Sequence, residues 1–512
     1  MQRSIVASIS LVLIVLALVR LEAERAGLRI ERVQLGSIPV TLYTRPGAPP
    51  APFIAIAHGF AGSQQFMQTF ALTLAQNGYV VATFDFPGHG QNTEPLPGGL
   101  ADATARNRAL AGALGRVIEW GMARAEVDGH LALLGHSMAS DVVVRYALEH
   151  PEVAATVAVS LFWSGSLAER PRDLLIIDGA LEPAALREQA LVAVTAGAGP
   201  PPTVGATSGS FAAGSARRVA FSPDVEHIGV LYSPTSMHEA LAWMDQAFAR
   251  AGTARIATPG LWLLLLFTGL VAAGWPLARL LPRLDPPPPR PTIGPAPRGL
   301  RFAALALVPA LLTPFILLKV PSNFLPVLLA DYLLMHFAVY GVLTLAGLIL
   351  VGALPARRSL APARTTWLAI ATCTVLVAAY AIGAIGVAAD RYLTNLAPTP
   401  ERIPIILAML VGTLPYFIGD EWLTRSREAP RAAYFATKVC FLVGLAIAIA
   451  LNLGKLFFLV IIVPVILILF TAFGLLSGWV YRQTGHPLPA ALANALAFAW
   501  AIAVVFPMVV RP

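Results

Sequence analysis

The stretch that decides the fold is Leu131-Ala132-Leu133-Leu134-Gly135-His136-Ser137-Met138-Ala139-Ser140. An apolar run too short for a helix breaks at Gly135, and the helical pattern Met138 to Glu149 follows. Ser137 is therefore expected on a tight strand-to-helix turn. Such a turn lifts the hydroxyl above the end of a sheet and lets the open N–H groups of the next helix face the oxygen of whatever is attacked. Strand and helix backbones nearly touch two positions either side of the serine, so small residues are needed there. Gly135 and Ala139 meet that need.

Working upstream, Arg29 to Tyr43 reads as a β-hairpin turning at Gly36-Ser37. Phe53-Ile54-Ala55-Ile56-Ala57 is a buried strand ending in His58-Gly59-Phe60, and Gln64 to Asn77 is helical. Tyr79 to Asp85 is the next strand, ending in Phe86-Pro87-Gly88-His89-Gly90, and Ala101 to Ala125 is a helix. Short apolar strands alternating with helices predict a mostly parallel sheet with helices on both faces, an α/β architecture.

Downstream, Val153 to Phe162 and Leu174 to Ile177 are two further strands, with no large lid inserted between them. The second ends in Asp178-Gly179-Ala180-Leu181-Glu182-Pro183. Arg217 to Phe221 is the last strand, followed by Ser222-Pro223-Asp224-Val225-Glu226-His227.

With these residues in view, the chain resembles the α/β-hydrolase superfamily of serine hydrolases, esterase- or lipase-like. Gly135-His136-Ser137-Met138-Ala139 is similar to its G-x-S-x-G elbow, departing only by Ala in the last place. His58-Gly59-Phe60 stands where its H-G-x oxyanion loop stands, and Asp85 to Gly90 looks like its D-x-P-G-x-G turn. The resemblance implies Ser137 as nucleophile, His227 as general base and Glu182 as the acid, with Asp178 the alternative acid. The backbone amides of Phe60 and Met138 would form the oxyanion hole. Ser, acid, His is the order the fold requires. His238 is the alternative base, but it falls inside the helix Thr235 to Ala249. His58 and His89 read as structural members of their loops, and His130 and His150 as surface residues.

Composition sets the rest. Of 512 residues, 57% are hydrophobic and 12% charged, and the mean hydropathy is +0.70. A chain this apolar is largely a membrane protein. The net charge of +8 does not indicate nucleic acid, because the arginines sit in short loops between apolar spans. The two cysteines, Cys373 and Cys440, lie inside apolar runs, so the soluble part has no disulfide.

Residues 1–25 read as an uncleaved signal anchor, 26–252 as the α/β-hydrolase domain, and 258–512 as an all-α membrane domain of about eight helices with a Pro-rich cytoplasmic link at 282–300. The spans run near 260–281, 302–320, 325–353, 366–388, 403–419, 433–452, 456–479 and 488–510. With Arg3 inside, the Arg-rich loops, including Arg357, Arg358, Arg425, Arg427, Arg431 and Arg482, fall on the cytoplasmic side. The hydrolase domain is then extracytoplasmic in a multi-pass membrane protein.

Asp331 and His336 lie within one span and read as polar helix-packing residues. Asp420-Glu421-Trp422-Leu423-Thr424-Arg425, with Phe473-Gly474-Leu475, resembles the E-E-x-x-x-R signature of the CPBP/CAAX-type intramembrane proteases. The imidazole that family carries in its last motif would fall at Asn494. The same residues suit acids and arginine at a membrane boundary.

The expected function is a membrane-anchored serine hydrolase cleaving a carboxylic ester of a lipid or other acyl small molecule, with no metal or organic cofactor and no nucleic-acid partner. Two alternatives stay open. One is a serine peptidase or amidase; the other is a transporter or membrane-assembly protein whose outer domain keeps an idle elbow.

Overall fold

The computed structural model describes all residues except 100, 196–201, 252, 285–297, 354–363, 427–428 and 511–512. Most of the Pro-rich link at 282–300, with Arg357, Arg358 and Arg427, therefore lies outside the described residues.

The chain forms two compact units. One comprises Leu16–Leu265 with Ala389–Ala397 and Pro507–Pro512; the other comprises Met1–Val15, Leu266–Ala388 and Pro398–Phe506.

The first unit is built on an eight-stranded sheet: β1 Arg29–Leu35, β2 Ile38–Thr44, β3 Ala51–Ala57, β4 Val80–Phe84, β5 Val127–His136, β6 Val153–Val159, β7 Leu174–Gly179 and β8 Arg217–Ser222. Their spatial order is β1-β2-β4-β3-β5-β6-β7-β8. The β1-β2 hairpin is antiparallel, as is β2 on β4, and every pairing from β4 to β8 is parallel. This is the α/β-hydrolase fold.

The central strands β3, β4 and β7 are buried along their whole length because both faces are covered. Successive residues of β3 point opposite ways. Ile54 and Ile56 join one core with Ala132, Leu134, Val157 and Ile177, under the helices Gln68–Gln76 and Pro234–Ala247. Phe53 and Ala55 join the other with Leu131 and Leu133, under Ala103–Met122 and Met138–Glu149. The helix Ala103–Met122 begins where Asp102 accepts the Ala105 N–H at 2.9 Å, a side-chain cap that sets the start two residues later than the sequence pattern does. Near its end Gly121 lies against Phe53, and a methyl there would sit 2.6 Å from a ring carbon. The fully buried Phe53 is worth roughly 2 to 3 kcal/mol of hydrophobic stabilisation, and Gly121 makes room for it.

Residues 160–173 separate β6 from β7, so no large lid stands there. The last residues are less expected. The helix Leu488–Val505 stops before Pro507 instead of running to 510, because proline offers no N–H and favours extended backbone before it. Phe506 is accordingly extended at φ −73°, ψ 143°. Leu96 and Val509 then form a parallel bridge, with Leu96 N–H donating to Met508 O at 2.8 Å and Met508 N–H to Gly88 O at 2.8 Å.

The second unit is an all-α bundle. Among the described residues the chain has nine helices long and apolar enough to cross a membrane, from Gln2–Ala23 to Leu488–Val505. Expected span 325–353 is a helix only over Ala330–Leu350. Its start is fixed by Asp331, whose carboxylate accepts the N–H groups of Phe324 and Tyr332, both at 2.9 Å. Small residues bring helices close: a methyl on Gly341 would meet the backbone of Pro415 and Tyr416, and one on Gly412 the carbonyl of Leu334. His336 is fully buried with its ring edge-on to Phe441, centroids 5.0 Å apart. It does not meet Asp331. The outer faces carry exposed Leu307, Phe315, Val375 and Leu407, as lipid-facing helices should.

Candidate active site

Ser137 sits between β5 and the helix Met138–Glu149 with φ 55° and ψ −119°. A non-glycine residue in that region costs on the order of 1 to 3 kcal/mol and persists only where its surroundings enforce it. Here they do. Ser137 N–H donates to Val159 O at 2.8 Å, while Ser137 O accepts from Ser140 N–H at 2.9 Å and from Ser140 Oγ at 2.5 Å.

Close packing explains the flanking residues. A methyl on Gly135 would lie 2.7 Å from the carbonyl carbon of Ala139, and one on Gly59 3.0 Å from Ser137 Cβ. Ala139 is fully buried, so its methyl fits where the elbow pattern has glycine.

The candidate acid and base come from neighbouring strand ends. Past β7, Ala180 N–H donates to Ser222 O at 2.8 Å and Leu181 N–H to Val225 O at 3.0 Å. These bonds join the loop of Glu182 to the loop of His227. Glu182 Oε2 accepts Gly179 N–H at 3.1 Å, leaving Oε1 for His227. Beyond His227, the Glu226 carboxylate accepts the N–H groups of Ile228 and Gly229 at 2.7 and 2.9 Å and closes the turn.

The resulting chain of contacts is continuous. Ser137 Oγ is 3.0 Å from His227 Nε2, and His227 Nδ1 is 2.6 Å from Glu182 Oε1. A carboxylate only accepts, so His227 Nδ1 carries the proton and Nε2 keeps its lone pair for the serine hydroxyl. Glu182 is 3% exposed and Ser137 8%, so these bonds are shielded from water.

Asp178 is fully buried at the end of β7 and makes no hydrogen bond to His227. Burial pushes its carboxyl up to about 8, and the Glu182 carboxylate adds in the same direction. Near neutral pH it is mostly protonated. His238 is exposed on Pro234–Ala247. His130 bonds Asp128 and His150 bonds Glu152, both on the surface.

His58 ties two loops together. Phe86 N–H donates to His58 Nε2 at 3.1 Å, so the proton is on Nδ1, which donates to Gly59 O at 2.8 Å. Burial pulls its pKa down to about 4 and keeps the ring neutral. The loop it holds carries Phe60, whose ring is edge-on to His89 with centroids 6.2 Å apart. Met138 is the first residue of the helix after Ser137, where backbone N–H groups have no partner within the helix. His89 Nδ1 is 2.9 Å from Pro87 O, inside its own turn.

One residue at the site escaped the sequence reading. His136 Nε2 donates to the backbone carbonyl of His227 at 3.0 Å. Burial first, and the neighbouring His227 second, hold its pKa well below the usual histidine value. The available signal was its place inside the elbow pentapeptide, where the strand's two-residue alternation turns it to the side opposite Gly135. A second brace is equally invisible in sequence. Asn395 N–H donates to Ser63 Oγ at 2.9 Å, and Gln91 Nε2 donates to Asn395 Oδ1 at 3.0 Å.

In the bundle, Glu421 is fully buried. Its partners are Arg425, Nε to Oε2 at 3.0 Å, and the Ser477 hydroxyl on Oε1. Among the described residues no imidazole hydrogen-bonds to it, and Asn494 is buried without a partner for its amide nitrogen.

Residues 48–196 match the family model described as serine aminopeptidase, S33. The match covers Ser137 and Glu182 and ends before His227. Over 116 residues the chain is 28% identical to "Putative carbamate hydrolase RutD" of Klebsiella pneumoniae, covering 22% of this chain and 39% of that protein. The chain thus spans about two fifths of that relative's length. Among solved structures, an epoxide hydrolase from Vigna radiata is 20% identical with a TM-score of 0.22, over 27% of this chain and 40% of that one. TT1662 from Thermus thermophilus is 19% identical with a TM-score of 0.33, over 44% of this chain and 99% of that one. Topology and family match together give a hydrolase domain of the α/β-hydrolase fold, in a chain whose long apolar helices suit a multi-pass membrane protein.

Proposed function

We propose that this protein is a membrane-anchored serine hydrolase that cleaves a carboxylic ester of an acyl or lipid-like substrate. The observation that carries the reading is the hydrogen-bonded series Ser137, His227, Glu182, at 3.0 and 2.6 Å.

Ser137 Oγ attacks the acyl carbonyl as its proton passes to His227 Nε2, giving a tetrahedral oxyanion and an imidazolium. Glu182 orients the ring and stabilises its charge; the amides of Phe60 and Met138 are the oxyanion donors. Collapse expels the alcohol, which leaves with the proton from Nε2, and an acyl-serine remains. Water, deprotonated by the same nitrogen, then releases the acid and restores Ser137. Phe162, 45% exposed with its ring centroid 6.3 Å from that of His227, supports an apolar acyl group.

The extracytoplasmic placement has its own support. Segments 389–397 and 507–512 cluster with the hydrolase domain. The domain follows the first span, 389–397 lies at the end of the fifth, and 507 follows the ninth. All are odd counts among the described candidate spans, which supports one common side for them all; the reading of the arginine-rich loops as cytoplasmic makes that side the outer one.

The test is labelling of the full-length protein with a fluorophosphonate probe, followed by hydrolysis of nitrophenyl esters of graded chain length. Wild type should label and Ser137→Ala should not. A folded protein that never labels would instead point to a non-catalytic module. The family description favours a second reading, a peptidase or amidase; cleavage of aminoacyl amides in preference to esters would select it.

A further inference from the structure

A cavity of about 350 Å3 lies in the bundle, lined among others by Arg425, Arg431, Lys438 and Arg482. They come from three stretches of chain: the end of the helix Ile403–Thr424, the helix Ala433–Leu451 with the turn before it, and the end of Leu459–Thr484.

Two of the four cations are neutralised within the protein. Arg425 pairs with Glu421 at 3.0 Å and Lys438 with Asp420 at 2.5 Å. Lys438 is 1% exposed, and its ammonium lies 4.2 Å from the Tyr434 ring centroid. Arg431 and Arg482 have no carboxylate within ion-pair distance among the described residues, so among those residues the lining holds more positive than negative charge. Exposed apolar side chains also line it: Phe435 is 63% exposed and Leu475 47%.

A preference for arginine at cytoplasmic helix ends accounts for cations on one side of a membrane. It does not account for four of them converging on one cavity, nor for one buried inside a helix. The volume falls in the range of small-ligand sites. Guanidinium groups suit phosphate oxygens through charge-assisted bonds, and an exposed apolar wall on a membrane helix faces acyl chains.

We propose that this cavity binds the phosphate-bearing headgroup of an anionic lipid, with Arg431 and Arg482 on the phosphate and an acyl chain along Phe435 and Leu475. A soluble phosphate would use the same cations but gain nothing from the apolar wall.

The experiment uses the full chain in neutral detergent and follows its thermal midpoint by tryptophan fluorescence. It is titrated with phosphatidylglycerol, phosphatidylcholine or glycerol phosphate. Phosphatidylglycerol should raise the midpoint, and the other two should leave it unchanged. In Arg431→Gln/Arg482→Gln the half-saturating lipid concentration should rise by about tenfold or more, while Lys319→Gln, which removes an exposed cation elsewhere on the bundle, should behave as wild type. Should the double variant not fold, Arg431→Gln alone should show a severalfold rise. Equal response to phosphatidylcholine, equal response to glycerol phosphate, or an unaltered titration in the arginine variants would each overturn the proposal.

Discussion

The ring of His136 donates through Nε2 to the backbone carbonyl of His227 at 3.0 Å, so the residue before the elbow serine holds the loop that carries the imidazole facing that serine. His136 touches neither the Ser137 hydroxyl nor the Glu182 carboxylate; it is a positioning residue. His136→Leu should lower kcat by about tenfold, the worth of one ordinary hydrogen bond, with little change in KM. His136→Gln, which keeps a donor, should recover part of the loss. Equal activity of wild type and His136→Leu would remove this role.

Glu182 and Asp178 stand four residues apart, yet only Glu182 reaches His227 Nδ1, at 2.6 Å. Glu182→Gln should lower kcat by roughly three to four powers of ten. Asp178→Asn should stay within a few-fold of wild type, because that carboxyl is mostly protonated at neutral pH. Ester hydrolysis by the two purified variants decides between the acids, and the reverse ranking would transfer the role to Asp178.

The same burial makes stability depend on pH in two opposite senses. His58 has its pKa lowered by burial from 6.5 to about 4. Its contribution is complete above pH 6.5 and is lost as pH falls toward 4, where the unfolded chain binds a proton that the native ring refuses; this amounts to roughly 3 kcal/mol. Asp178 is raised from 3.8 to about 8. Its contribution is complete below 3.8 and is lost as pH rises toward 8. Asp178→Asn should therefore raise the thermal midpoint at pH 8 and leave it unchanged at pH 4. A uniform shift at both values would mean that the effect is packing and not ionisation.

Much of this fold is legible from local pattern. The apolar runs around Ile54, Val81, Leu133 and Ile176 have the length and flanking turns of buried parallel strands, and each recurs as a strand. Ser137, Glu182 and His227 could be singled out because each follows a strand end, where a parallel sheet gathers its loops. His136 could not, since its role depends on the backbone of a loop 91 residues away. Asn395 and Met508 were hidden for the same reason. Their contacts with Ser63, Gln91, Gly88 and Leu96 link segments hundreds of residues apart, and no periodicity records such pairings. The end of the last helix, by contrast, was readable at Pro507, and hydropathy alone carried the span past it.

Gly135 and Ala139 test the geometry of the elbow itself. A methyl on Gly135 would lie 2.7 Å from the Ala139 carbonyl carbon, so Gly135→Ala must push helix and strand apart. It should destabilise the domain by about 1 to 3 kcal/mol and suppress fluorophosphonate labelling of whatever remains folded. Ala139→Gly should keep labelling and lose about 1 kcal/mol, from helix propensity and a lost buried methyl. Melting curves and labelling rates on the same preparations separate the two outcomes.

Sidedness can be measured directly because the two native cysteines, Cys373 and Cys440, are respectively buried and half-buried. With both replaced by alanine, Glu149→Cys places an exposed thiol on the hydrolase domain, and Arg482→Cys places one in the last turn of the eighth span, at its far end. The first follows one span and the second eight, so odd and even counts put them on opposite sides of the membrane. A membrane-impermeant maleimide added to intact cells should label position 149 and leave 482 unlabelled until the membrane is opened. Labelling of both in intact cells would break the alternation of spans. Labelling of 482 alone would put the hydrolase domain in the cytoplasm and take away the topological support for an extracytoplasmic substrate, while leaving the contacts of Ser137, His227 and Glu182 as they are.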